Sequence, residues 1–409
     1  VTAPPPSVAA TATGPAPGGH RLPPVLSSAS GVSRPPRDRR RLKGILAGAI
    51  GTVVVLTGLG ITQLVANQGY DEAASGVEDA TRSVTAQQTE LRHRTADLIA
   101  ATDAGHVIID TGAPALAVPE DLWAALDSAV AEGETTGGEA EDVLATRLPA
   151  DETKPGWFWD LFAATSRLAE DQSTLRDVAE SMDSASTSAA ASVDAVRTNG
   201  VAVLTTAAEA AGAFESAHPS TRNAAVIALR GAAADALAVT EVDDAAAAAY
   251  VALQKAATDV VAAEDAELAE KAGPLRNARL EIEAFARSLA PGVLLEFDWA
   301  PVVNGAGYNG SMGGYTTWWW DEPGRAVIEL SNSVAEQWPA ERSRALVAHE
   351  VGHAISVKCQ DMYDSSTQDS IEKWATAWAI SMGFTDDANG VWAYGYPPQN
   401  YIDAAAGCR

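Results

Sequence analysis

Apolar residues recur every seven positions through an alanine-dominated stretch from about residue 70 to 290. No other feature constrains the fold as much. Val77, Val84, Leu91 and Leu98 form one series; Leu161, Leu168, Leu175, Met182, Ala189, Val196 and Val203 form another. Such spacing keeps side chains on one stripe of a helix that winds around a partner. Alanine favours helix intrinsically and lets helices approach closely. Breaks are expected at 112–119, at 133–138, at 149–156 with Trp157-Phe158-Trp159 opening the next helix, and at His218-Pro219. A further helical run, 221–272, brings Val226, Leu229 and Leu237 to one face. The expectation is an antiparallel helical bundle or hairpin stalk over residues 67–290. Alanine buries little area, so a homo-oligomer through the stalk is a reasonable supplement. His93, His106 and His218 lack companions at ligand spacing and read as surface or capping side chains.

Ahead of the stalk, residues 1–36 are rich in Pro, Ala, Ser and Gly, a composition too poor in large apolar residues to order itself. Residues 45–66 then carry no formal charge over 22 positions, a length that crosses roughly 30 Å of hydrocarbon. Arg39, Arg40, Arg41 and Lys43 precede this run, and Asp71, Glu72, Glu78 and Asp79 follow it. The reading is a disordered cytoplasmic tail (1–43), a transmembrane helix (44–66) and an extracellular remainder, a single-pass protein of the cell membrane. The first 43 residues carry a net charge of +6 and the whole chain −26, which leaves −32 for the rest. So acidic a body would repel phosphates, which excludes nucleic acid as a partner. The two cysteines, Cys359 and Cys408, both lie on the expected outer side and read as a disulfide.

The texture changes at about Pro291. Eight of the 11 tryptophans lie beyond it, and alanine thins out. Segments 292–299, 315–321 and 325–331 have strand composition, with 315–331 shaped as a hairpin around the Glu322-Pro323-Gly324 turn. Residues 304–314 form a glycine-rich loop, and helices are expected over 340–357 and 370–382. The order, a small sheet followed by two helices, describes a compact domain over 291–409. Within the first of those helices stands His349-Glu350-Val351-Gly352-His353. Four residues is about one helical turn, so both imidazoles can reach one metal ion, and Glu350 lies close enough to polarise a metal-bound water. The chemistry implied is that of a zinc hydrolase, with Zn²⁺ the cofactor and Glu350 the general base.

A catalytic zinc takes a third protein ligand, and no further histidine lies beyond residue 291. The metzincin pattern wants glycine and histidine where this chain has Ser356 and Cys359. On a continuing helix Cys359 is about 240° round from His353, better placed for Cys408 than for the metal. HEVGH together with Glu372, 19 residues after His353 and followed by Ala375, Thr376 and Ala379 on its own face, resembles the gluzincin branch of the zincin metallopeptidases. The resemblance implies His349, His353 and Glu372 as metal ligands. Asp369 is the substitute candidate for the third, with Asp361 and Asp364 less constrained. The resemblance covers residues 293–409 at most and implies a small α+β zincin-like domain there; with the transmembrane helix and the Ala-rich bundle or coiled-coil ectodomain read from composition, the expected fold class is mostly α. One departure stands out: Thr376 occupies the place where many gluzincins have an aspartate that orients a histidine ligand. Asp361 or Asp369 is then the acid that stands in.

The activity such a site implies is hydrolysis of a peptide or protein substrate. The oxyanion donor is sought among Tyr394, Tyr396 and Tyr401, strand 327–331 is the edge for an extended substrate, and Trp318-Trp319-Trp320 pack on the helices or line a groove. The alternative is a non-catalytic cell-envelope adaptor whose stalk does the work and whose zincin-like domain only binds.

Overall fold

The computed structural model describes residues 39–111, 115–322 and 324–409, with side chains from residue 51. A long first helix, α1 (Arg39–Asp110), is followed by α2 (Glu120–Leu144) and a second long helix, α3 (Phe158–Ala217). Every member of the α3 stripe, from Leu161 to Val203, is buried, and so are Val84, Leu91 and Leu98 of α1. The seven-residue repeat is therefore the packing seam. The two long helices are not each other's antiparallel partners, however; α2 is antiparallel to both. Leu161 packs with Ala66, Leu175 and Met182 with Val84, and Val196 lies by Gly105, so α3 runs parallel to α1. Antiparallel α2 and the non-helical stretch 145–157 make the return between them.

The expected break at 133–138 is absent, because α2 runs straight through it. Gly133 serves packing instead: a Cβ on it would lie 2.8 Å from Thr102 Cγ2 of α1. Conversely the run 221–272 divides into α4 (Asn223–Leu237) and α5 (Asp244–Glu270). α4 ends at Leu237, and Asp243 starts α5 as its N-cap, its side chain accepting from Ala246 N.

The transmembrane expectation is overturned. No helix among the described residues is long and apolar enough to cross a membrane. The far end of the charge-free run already belongs to the bundle: Ala66 and Tyr70 are buried with Leu161, Ala164 and Leu168, and Gln63 Nε2 donates to Gly156 O. The single-pass placement, with its cytoplasmic and extracellular sides, loses its support with the helix. Residues 39–43, read as the end of a disordered tail, are helical, and the rest of that tail lies outside the described residues.

Helices α4 and α5 cap the far end of the bundle and lead into the C-terminal domain. Arg222 is the junction. It pairs with Glu267 of α5 and reaches Glu296 at 3.0 Å, while Asn223 Nδ2 donates to Ala326 O. Helix α6 (Arg276–Leu289) buries Ile282 and Ala286 in the core of the C-terminal domain, so that core begins before residue 291. Three strands follow, β1 (Leu294–Ala300), β2 (Gly314–Trp318) and β3 (Arg325–Ser331), in the order β1-β3-β2. β1 is parallel to β3 and β2 antiparallel to it. β3 is thus central, and 327–331 is not a free edge; β2 is. The short α7 (Asn332–Glu336) leads into α8 (Glu341–Ser356), which lies on the sheet, and α9 (Gln368–Ser381) packs against α8, with Phe297, Trp374 and Trp378 buried in the shared core. Short helices α10 (Val391–Tyr394) and α11 (Gln399–Ala405) end the chain. Cys359 and Cys408 are joined, Cα–Cα 6.0 Å, which ties the C-terminus to the turn after α8.

Candidate metal centre

Helix α8 is buried from Ala345 to Ser356, so its polar side chains need partners inside the domain. His349 and His353 find each other and α9. Their Nε2 atoms are 3.2 Å apart, and Glu372 Oε2 lies 3.2 Å from the first and 3.0 Å from the second. These three are the one cluster of potential metal ligands among the described residues. Burial would raise the Glu372 carboxyl, but hydrogen bonds and charge from both imidazoles outweigh it and hold the group well below the carboxylate range. Its other oxygen, Oε1, accepts from Gln368 Nε2 at 2.7 Å, which leaves Oε2 for the cluster. Close approach of the helices depends on Gly352, where a Cβ would come within 2.8 Å of Ala375 O.

The donor set fits zinc. Ligand atoms about 2.0–2.1 Å from a tetrahedral ion lie ~3.3 Å from one another, and the observed separations are close to that edge. Two imidazoles and one carboxylate are a donor set of the kind that catalytic zinc sites use, and His349 faces the cleft beside it.

Glu350 projects beside this cluster, and strand β2 holds it there. Thr316 Oγ1 donates to Glu350 Oε2 at 2.7 Å, and a side chain at Gly314 would collide with the same carboxylate. A cleft of about 930 Å³ opens here, with Leu346, His349 and Glu350 as its floor. The glycine-rich loop at Asn304–Ala306 and Gly313–Gly314 lines one side, and Trp392 and Tyr394 the other. Aromatic rings brace both imidazoles: Trp318 stacks on His353 at 5.3 Å and Tyr394 on His349 at 5.8 Å.

The remaining candidates separate cleanly. Of the tyrosines, Tyr394 is at the site, Tyr401 meets Ser370 Oγ at 2.7 Å on the far side of α9, and Tyr396 is exposed. Burial first, and the Glu372 and Glu350 charges next, push the Tyr394 hydroxyl up to about 12. It is therefore a donor at neutral pH. Asp369 pairs with Lys373, Asp364 with Ser366, and Asp361 is exposed, so none stands in for a missing aspartate. That contact is made by a carbonyl, Asn389 O, 2.9 Å from His349 Nδ1. The three adjacent tryptophans divide: Trp318 braces His353, Trp319 packs under Arg325, and Trp320 is exposed. Sequence reasoning missed Thr316, Gln368 and Asn389. Only Gln368, one turn before Glu372, carried a local signal; the other two reach the site across 34 and 40 residues. No family model, curated protein or solved structure matches the chain.

Proposed function

We propose that the C-terminal domain is a zinc-dependent peptidase. The observation that carries the reading is the convergence of His349, His353 and Glu372 at tetrahedral spacing, beside a carboxylate positioned on an open cleft. A bound zinc would supply Lewis acidity and acidify a water in the open position. The residues supply the rest. Glu350 Oε2 is held by Thr316, so Oε1 is the oxygen free to take a proton from the attacking water. The same atom then delivers that proton to the leaving amine nitrogen. Tyr394 donates its hydroxyl hydrogen to the developing oxyanion. An extended peptide pairs with the outer edge of β2, whose inner edge is taken by β3. Substrate would thus lie across Gly314, where the absence of a side chain leaves room for both the peptide and Glu350.

The test uses the full chain. It should bind about one zinc per molecule and cleave members of a random peptide library. Glu350→Gln should keep the zinc and lose cleavage, and His349→Ala should lose both. A protein with no zinc, or one whose cleavage survives Glu350→Gln, defeats the reading. Retained binding of peptides by a wild-type chain that never cuts them would leave the adaptor alternative standing.

A further inference from the structure

Many gluzincins orient a histidine ligand with an aspartate four residues beyond the glutamate, and this chain has Thr376 there. The Thr376 hydroxyl is engaged within its own helix, donating to Glu372 O at 2.8 Å, and stands 3.4 Å from His349 Nδ1. Asn389 O is nearer, at 2.9 Å. The turn that presents this carbonyl is built with care for its position. Asn389 N donates to Asp386 O, and Asp386 Oδ1 accepts from Ala388 N, both at 2.9 Å. The Asn389 side chain is buried: Nδ2 donates to Phe384 O at 2.8 Å and Oδ1 accepts from Val391 N at 3.0 Å. Gly390 then takes φ +106°, and a Cβ there would collide with Thr376 Oγ1 and come within 2.6 Å of His349 Nδ1. His353 has no such arrangement. Its Nδ1 is buried without a hydrogen-bond partner among the described residues, and the ring is held by stacking on Trp318.

We propose that the turn 386–390 orients His349 for metal binding, with the Asn389 carbonyl accepting a hydrogen bond from Nδ1–H and so directing the Nε2 lone pair to the ion. Asn389 and Gly390 are positioning residues, and a main-chain acceptor on a rigid turn replaces the carboxylate. An oriented second partner fixes the tautomer and ring angle of a histidine ligand, and its loss typically costs about 10- to 100-fold in metal affinity. The inference rests on the zinc reading, and the experiment separates the two.

Zinc affinity of the full chain is measured by competition with a chromophoric chelator for wild type, Asn389→Ala, Gly390→Ala and Thr376→Val. The zinc-loaded wild type, labelled with ¹⁵N-histidine, is examined by NMR. Asn389→Ala and Gly390→Ala should each weaken zinc binding by about 10- to 100-fold, and Thr376→Val by less than about threefold. The spectrum should show His349 bound through Nε2 with a proton on Nδ1, a result that needs no variant to fold. A wild type that binds zinc as tightly as both turn variants overturns the inference and leaves the zinc reading intact. So does a tenfold loss in Thr376→Val, which would return the role to the hydroxyl, or coordination of His349 through Nδ1. A wild type that binds no zinc removes both.

Discussion

The helical body and the C-terminal domain hold themselves together by opposite means. The body, α1 to α5, buries mainly Ala, Val and Leu along a repeating seam, and its side-chain hydrogen bonds are mostly local, as with Thr95 and Thr102 to Leu91 O and Leu98 O. The C-terminal domain packs two fully buried tryptophans, closes itself with a disulfide, and buries His349, Glu350, His353, Glu372 and Asn389 in contacts that span the fold. A repeating seam of small side chains distributes stability, so no one residue dominates it. Buried polar groups cost free energy unless every partner is in place, so the second region concentrates its stability around a few large groups that hold the site. The difference teaches how the two regions are specified: the body by a repeated local spacing, the C-terminal domain by a few long-range polar contacts around the His349, His353 and Glu372 cluster.

Four measurements would sharpen that contrast or break it, beginning with the largest effect. Glu350→Gln should lower peptide cleavage by about 10²- to 10⁴-fold with little change in either melting transition. A large loss of stability instead would mean Glu350 serves the fold. Trp378→Ala removes a fully buried ring whose Nε1 donates to Cys408 O, and should destabilise the C-terminal domain by about 3–5 kcal/mol in denaturant titration. The helical signal of the body should persist through that transition; simultaneous collapse would show that Arg222 and Asn223 couple the two regions into one cooperative unit. Reducing or replacing the Cys359–Cys408 bond reopens a loop with a sequence separation of 49 and should cost about 2–4 kcal/mol, again confined to the C-terminal domain.

The smallest effect belongs to the body. Burial, against an opposing hydrogen bond from Gln254, pushes the Tyr250 hydroxyl up to about 12. The folded chain therefore keeps a proton that the unfolded chain loses near pH 10. Stability is full below that pH and falls as pH rises toward 12. Tyr250→Phe should flatten this alkaline loss by about 1 kcal/mol, and an unchanged slope would place the titrating group elsewhere, Tyr363 and Tyr394 being the other raised tyrosines.

What could be read in advance differs between the regions for the same reason. In the body, the stripe from Leu161 to Val203 was fully legible, yet the direction of α3 was not, since a heptad repeat serves parallel and antiparallel neighbours alike. The glycines of 133–138 read as a break because the close approach of Gly133 to Thr102 is invisible in the local sequence. The charge-free run before residue 67 read as a span, but its end is claimed by α3. In the C-terminal domain the three strands were legible and their order was not. β1 pairs with β3 across an intervening strand, and that moved the free edge from 327–331 to β2.

The sequence by itself determined what local spacing encodes. Four residues between two histidines place them on one helical face, and seven between leucines lay down a seam, because helix geometry turns separation along the chain into direction in space. Tertiary structure alone decided which tyrosine faces the cluster, that Thr316 restrains Glu350, and that the carbonyl of residue 389 meets His349 Nδ1. Those choices depend on how α8, α9, β2 and the final turns settle against each other, and packing of distant elements is not a property of any short window of residues.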